Sequence, residues 1–122
     1  MVGYGTNDLG MWPEVERTSL MIINNLDRMV TATRDGGRES ILLDVPHAKE
    51  SMFPRKVAEE LHSKRDYHND RLRDYCLEKQ VPLVDIASQL CDQHFADELH
   101  PNDEGAKFIA QEVFKVLSEV WW

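Results

Sequence analysis

A carboxylate and an imidazole stand three positions apart in the run Asp97-Glu98-Leu99-His100-Pro101-Asn102-Asp103, which continues into Glu104-Gly105. A histidine whose ring is held by a nearby carboxylate is the usual base for activating a hydroxyl nucleophile, the carboxylate fixing tautomer and orientation. The same residues also suit a plain helix entry, in which both simply cap or solvate the first turn. A second segment, Gly5-Thr6-Asn7-Asp8, carries related possibilities. Glycine at a strand end lets the backbone approach a ligand closely, and an asparagine amide can donate to a developing oxyanion. Turn formation after a strand accounts for the same residues without chemistry.

The elements that must position these two segments alternate along the chain. Met1–Tyr4 is a short apolar stub that reads as a strand end. After Pro13, apolar residues at Val15, Ile22, Ile23, Leu26, Met29 and Val30 recur at helical spacing up to a stop at Gly36-Gly37. Ile41–Val45 reads as a buried strand closed by Pro46, and Val81–Ile86 as another. Between them the pattern predicts a long polar helix over Arg55–Lys79, with Val57, Leu61, Leu72, Tyr75 and Cys76 on its apolar side. Its mixed charges predict a solvated face with helical ion pairs, and His62 and His68 are expected to face solvent. A last helix follows Pro101, with Asn102 as N-cap and Asp103 and Glu104 in its dipole-favoured first turn. Its apolar positions are Ala106, Ile109, Ala110, Val113, Val116, Leu117 and Val120. Strands separated by helices imply an α/β fold with a parallel sheet and helical crossovers. Both chemistry-bearing segments then fall in loops after the carboxyl ends of strands, where open sheets bind ligands.

A chain of 122 residues makes one domain, 1–122, with a single packed core. Its net charge of −8 argues against a nucleic-acid backbone or an anionic membrane as partner. No apolar run approaches a membrane span, and no basic, then apolar N-terminal signal is visible, which favours the cytoplasm. Cys76 and Cys91 are expected as free thiols. Cys91, His94 and His100 form too sparse a pattern for zinc, so no metal is expected. Trp121-Trp122 either packs back on the sheet or contacts a partner.

Taken together, these segments resemble a known family. Gly5-Thr6-Asn7-Asp8 looks like the third signature block of the SGNH, or GDSL-type, hydrolases, and Asp97-Glu98-Leu99-His100-Pro101-Asn102 with Gly105 looks like their fifth. Tyr67-His68-Asn69-Asp70-Arg71-Leu72 leading into Val81-Pro82-Leu83-Val84-Asp85 is similar to the family's penultimate helix-and-strand pair. The resemblance implies a three-layer α/β/α fold of flavodoxin-like type and hydrolysis of esters or thioesters, such as acylated lipids or sugars, without metal or organic cofactor. It implies that His100 is the general base, Asp97 its orienting carboxylate and Asn7 an oxyanion donor, with Gly5 keeping the approach clear.

The family's serine block and oxyanion-glycine block normally precede the segment that here begins at residue 5. The chain is therefore expected to be the C-terminal portion of such an enzyme, lacking its first strands. Ser19, Ser40, Ser51, Ser63, Ser88 and Ser118 all lie outside a glycine-rich strand-to-helix turn of the nucleophile-bearing kind. An uncovered sheet edge and bare helix faces would then predict a homo-oligomer or a complementing chain. Two functions stand: an ester hydrolase module whose nucleophile lies elsewhere, or a non-catalytic remnant acting through association or ligand binding.

Overall fold

The computed structural model describes residues 14–46, 52–97 and 100–121. The expectations for Met1–Tyr4, Gly5, Asn7, Ser51 and Trp122 lie outside the described residues. The elements, in chain order, are helix α1 (Val15–Asp35), strand β1 (Leu42–Leu43), helix α2 (Arg55–Lys79), strand β2 (Leu83–Val84), a short 3-10 turn (Asp92–His94) and helix α3 (Asp103–Trp121).

In α1 the side chains of Ile22, Leu26 and Val30 are buried at four-residue steps, the spacing of one helix face. Each such burial stabilises by about 1.5–3 kcal/mol. The helix ends where Gly37 adopts φ +76°, a left-handed conformation that glycine takes without the Cβ clash. Helix α2 ends differently, on Gln80 at φ 57°, whose N–H donates to the Cys76 carbonyl. Arg34 of α1 donates to the Gln80 carbonyl at 3.2 Å, tying the ends of the two helices together.

The strands pair in parallel, Leu42 opposite Leu83 and Leu43 opposite Val84. Partners across a parallel ladder share a face, and the two faces bury different neighbours. Leu42 and Leu83 pack with Ile22, Leu26 and Val30 of α1 and Leu72, Tyr75 and Cys76 of α2. Leu43 and Val84 pack with Ile41, Ile86, Leu90 and Phe95, and against Phe108, Ile109, Val113, Val116 and Leu117 of α3. Among the α3 positions expected to be apolar and inward, Ala106, Ala110 and Val120 are exposed, while Phe108 joins the contact face instead.

The described chain is thus mostly helical with a small two-stranded parallel sheet, narrower than the strands expected over Ile41–Val45 and Val81–Ile86. The shortening has a chemical cause. Pro82 has no N–H, so it contributes only its carbonyl, which accepts from Leu42 N–H at 3.0 Å. At the other end Asp44 N–H donates to the Val84 carbonyl at 3.2 Å. The Asp44 carboxyl then accepts from Ile86 N–H at 2.9 Å and Ala87 N–H at 3.0 Å, so a side chain takes over from the ladder.

Asp44 is 2% exposed, and burial pushes its carboxyl up from 3.8 to about 6 against the two backbone N–H groups. Its neighbour Asp85, although also raised by burial, is held below its ordinary value by the hydroxyl and N–H of Ser88 and by the Asp44 carboxyl. Below pH 6 the pair is therefore a protonated Asp44 leaning on an ionised Asp85. The unfolded chain releases the Asp44 proton near 3.8 and the folded chain near 6, so this contribution to stability is fully present below pH 3.8 and lost as pH rises through 6. Asp44→Asn keeps an acceptor for both N–H groups and a donor for Asp85. Urea unfolding at pH 7.5 is expected to show the variant more stable than wild type by about 2 kcal/mol. The gain should vanish near pH 4. Taking the difference between the two proteins isolates Asp44 from His68, which acts in the opposite sense.

Candidate active site

Residues 94–97 and 100–102 run antiparallel to each other as the two arms of a reversal. Phe95 bridges Pro101 in antiparallel fashion, Ala96 N–H donates to the His100 carbonyl at 2.8 Å, and Asn102 N–H donates to the His94 carbonyl at 2.8 Å. The Asp97–His100 pair sits on this reversal. Asp97 Oδ1 accepts from the His100 backbone N–H at 2.8 Å, and the His100 ring nitrogen Nδ1 lies 3.0 Å from Oδ1 and 2.9 Å from Oδ2. The carboxylate therefore fixes both the backbone and the ring of the same residue. The His100 side chain is 78% exposed, so Nε2 is the nitrogen available to a hydroxyl or a water.

The reversal is anchored on α3 by Asn102, as the sequence predicts. Its Oδ1 accepts from Gly105 N–H at 2.9 Å, the geometry of an N-cap, and its Nδ2 donates to the Gln93 carbonyl at 2.7 Å. No local signal marks the part played by His94. Its ring is buried, tilts against Phe108 at 5.6 Å, and accepts Cys91 N–H on Nδ1 at 3.0 Å. Cys91 and Cys76 are both free thiols, as expected; Cys76 is buried, and burial pushes its thiol up to about 11. Among the described residues no group of three or more His, Cys, Asp or Glu side chains is arranged to hold a metal ion.

Two expectations about histidines require correction. His68 is fully buried rather than solvent-facing, with Nδ1 2.8 Å from Ser19 Oγ on α1, and His62 is half-buried. The helix is charged overall, but its inward face carries Arg65, His68 and Asn69 ahead of Leu72, Tyr75 and Cys76. Burial lowers His68 to about 4, so its ring is neutral. Ser19 and His68 have the residue types of a nucleophile and base, but Ser19 is only 1% exposed and lies in the core. Asn69 has an equally non-local role: its side-chain amide accepts Val45 N–H and donates to the Val45 carbonyl, both at 2.9 Å, joining α2 to the end of β1.

Gly105 lies against the His94 carbonyl so closely that a Cβ would collide with that oxygen, and would also stand 3.1 Å from the His94 carbonyl carbon and from Pro101 Cβ. Gly105→Ala is expected to force the reversal away from α3 and to destabilise the fold by about 1–3 kcal/mol. Thermal unfolding would register this as a fall of roughly 4–8 °C per kcal/mol.

No curated protein matches the chain. Among solved structures it is similar to a GDSL-like lipase from Bacteroides thetaiotaomicron, with a TM-score of 0.70 and 21% sequence identity over 96% of this chain. The chain spans 60% of that protein's length. The family model for the GDSL-like lipase/acylhydrolase family matches residues 1–108, so this chain belongs to that family.

Proposed function

We propose that this chain is an ester-hydrolysing module in which His100 acts as general base and Asp97 orients it. The observation that carries this reading is the double contact of the Asp97 carboxylate with His100 Nδ1, at 3.0 and 2.9 Å. In this mechanism His100 Nε2 takes a proton from a hydroxyl or water whose oxygen attacks the ester carbonyl. The Asn7 amide donates to the resulting oxyanion beside Gly5, and the imidazolium returns the proton to the leaving alcohol; where a hydroxyl attacked, a water activated by His100 then releases the acyl group as the acid. Family membership, and the likeness to a GDSL-like lipase, support an acyl ester of a small molecule, sugar or lipid as the substrate class. The two apolar clusters on opposite faces of the β1–β2 pair support a three-layer arrangement for the whole fold.

One observation favours a second reading, a non-catalytic fold remnant: among the described residues no serine, threonine or cysteine hydroxyl or thiol is hydrogen-bonded to His100. Hydrolysis of p-nitrophenyl acetate separates the two. His100→Ala is expected to lose on the order of 10²–10⁴-fold in rate if the base is real. Activity that is absent, or indifferent to the substitution, selects the remnant.

We also propose that the module associates with a second copy or with a complementing chain. Leu20 (61% exposed), Met21 and Met29 (each 43%) stand on the surface of α1, more apolar side chain than an isolated helix face needs. Light scattering at low micromolar concentration is expected to give a mass above that of one chain, and a strictly monomeric, well-folded species would count against association.

A further inference from the structure

Arg65 is the charged side chain whose surroundings the rest of the fold leaves unexplained. It is 4% exposed, yet among the described residues no carboxylate lies within ion-pair distance of it. Its Nη2 donates to His62 Nδ1 at 2.7 Å, and its Nε is buried without an acceptor. Burial pulls the guanidinium down to about 10, while Asp66 and Asp44 act on it from a distance in the opposite sense. One turn further along α2, His68 is fully buried and its Nε2 also has no partner. A buried cation normally persists only where an opposite charge or several acceptors meet it.

The position of Arg65 is set by Asn69, four residues on and therefore on the same helix face. Asn69 grips the backbone of Val45, just beyond the carboxyl end of β1. Arg65 thus lies about one helical turn, roughly 5.4 Å, further outward past that strand end. Open parallel sheets bind ligands at this edge. The segment that leads to His100 leaves β2 at the same edge, immediately after Asp85.

We propose that Arg65, with His68 beside it, forms a binding site for an oxyanion group, a carboxylate or a phosphate, at the carboxyl edge of the sheet. Guanidinium presents paired N–H donors that match the two oxygens of such a group. The unpaired Nε–H supplies the donor that no side chain of the described fold engages. The ligand is small and anionic, and it adds to the Asp97–His100 chemistry rather than replacing it.

Thermal unfolding at pH 7.5 in sodium phosphate, sodium acetate and sodium chloride at matched ionic strength tests the proposal without requiring turnover. Phosphate or acetate is expected to raise the melting temperature over chloride, by about 5 °C at ten times the dissociation constant. A response to phosphate alone identifies a phosphoryl group and a response to acetate a carboxylate; either supports the site. Arg65→Gln should abolish the difference, whereas Arg65→Lys, which keeps the charge but not the fork, should retain a smaller one. Equal melting temperatures of the wild type in all three salts overturn the proposal. So does a phosphate or acetate effect undiminished in Arg65→Gln, which would mark general salting-out. Should Arg65→Gln fail to fold, the wild-type comparison and Arg65→Lys decide the matter on their own, an undiminished effect in the lysine variant again counting against the site.

Discussion

The buried Asp44 carboxyl joins the end of one strand to the exit of the other, and the rest of the described structure is built from that junction. One of its oxygens accepts both Ile86 and Ala87 N–H groups, which would otherwise be buried donors without acceptors. From there the chain is carried by successive local bonds: Leu90 N–H on the Ile86 carbonyl, His94 N–H on the Cys91 carbonyl, and Asn102 N–H on the His94 carbonyl. The place of His100 is therefore inherited, bond by bond, from a carboxyl that never touches it. An apolar residue at position 44 would bury well but leave two N–H groups unpaired at the start of this series. An aspartate carboxyl supplies the acceptor that both N–H groups need.

The helices were legible because their signals are local. The α1 stripe of Ile22, Leu26 and Val30, the stop at Gly36-Gly37, and the Asn102 cap with acidic residues behind it all act within a turn or two of chain. The bounds Arg55–Lys79 came directly from charge and apolar spacing. The inward face of the first half of α2 was not legible. Arg65, His68 and Asn69 look like a solvated stripe, and only contacts with Ser19, forty-nine residues away, and Val45, twenty-four residues away, reveal them as interior. Strand lengths misled for a similar reason: Ile41–Val45 is apolar throughout except at Asp44, and that single carboxyl diverts the ladder into side-chain bonds.

The candidate site divides along the same line. Asp97 and His100 meet because an aspartate at position i reaches the backbone and ring of residue i+3 in a tight turn, a contact that needs no tertiary help. The sequence also showed Asn102 as a cap but not that its amide holds Gln93, nor that Gly105 is required by the His94 carbonyl. Those are contacts between a helix start and the turn before it. They depend on how steeply the reversal enters α3, which composition does not state. The pairing of this turn with Asn7 belongs to the proposed mechanism, Asn7 lying outside the described residues.

The exposure of His100 bears on how Asp97 can act. An ion pair with one partner 78% exposed and the other 48% exposed gains little from Coulomb attraction in water. The value of Asp97 is consequently geometric. By accepting the His100 backbone N–H and facing Nδ1 with both oxygens, the carboxylate leaves the imidazole few orientations before any substrate arrives. Such preorganisation retains its effect at high dielectric, where charge stabilisation fades, because it removes rotational freedom rather than adding field. In the proposed mechanism, electrostatic strength at His100 then depends on whatever excludes water from the exposed ring, as the proposed acyl substrate or associating chain would.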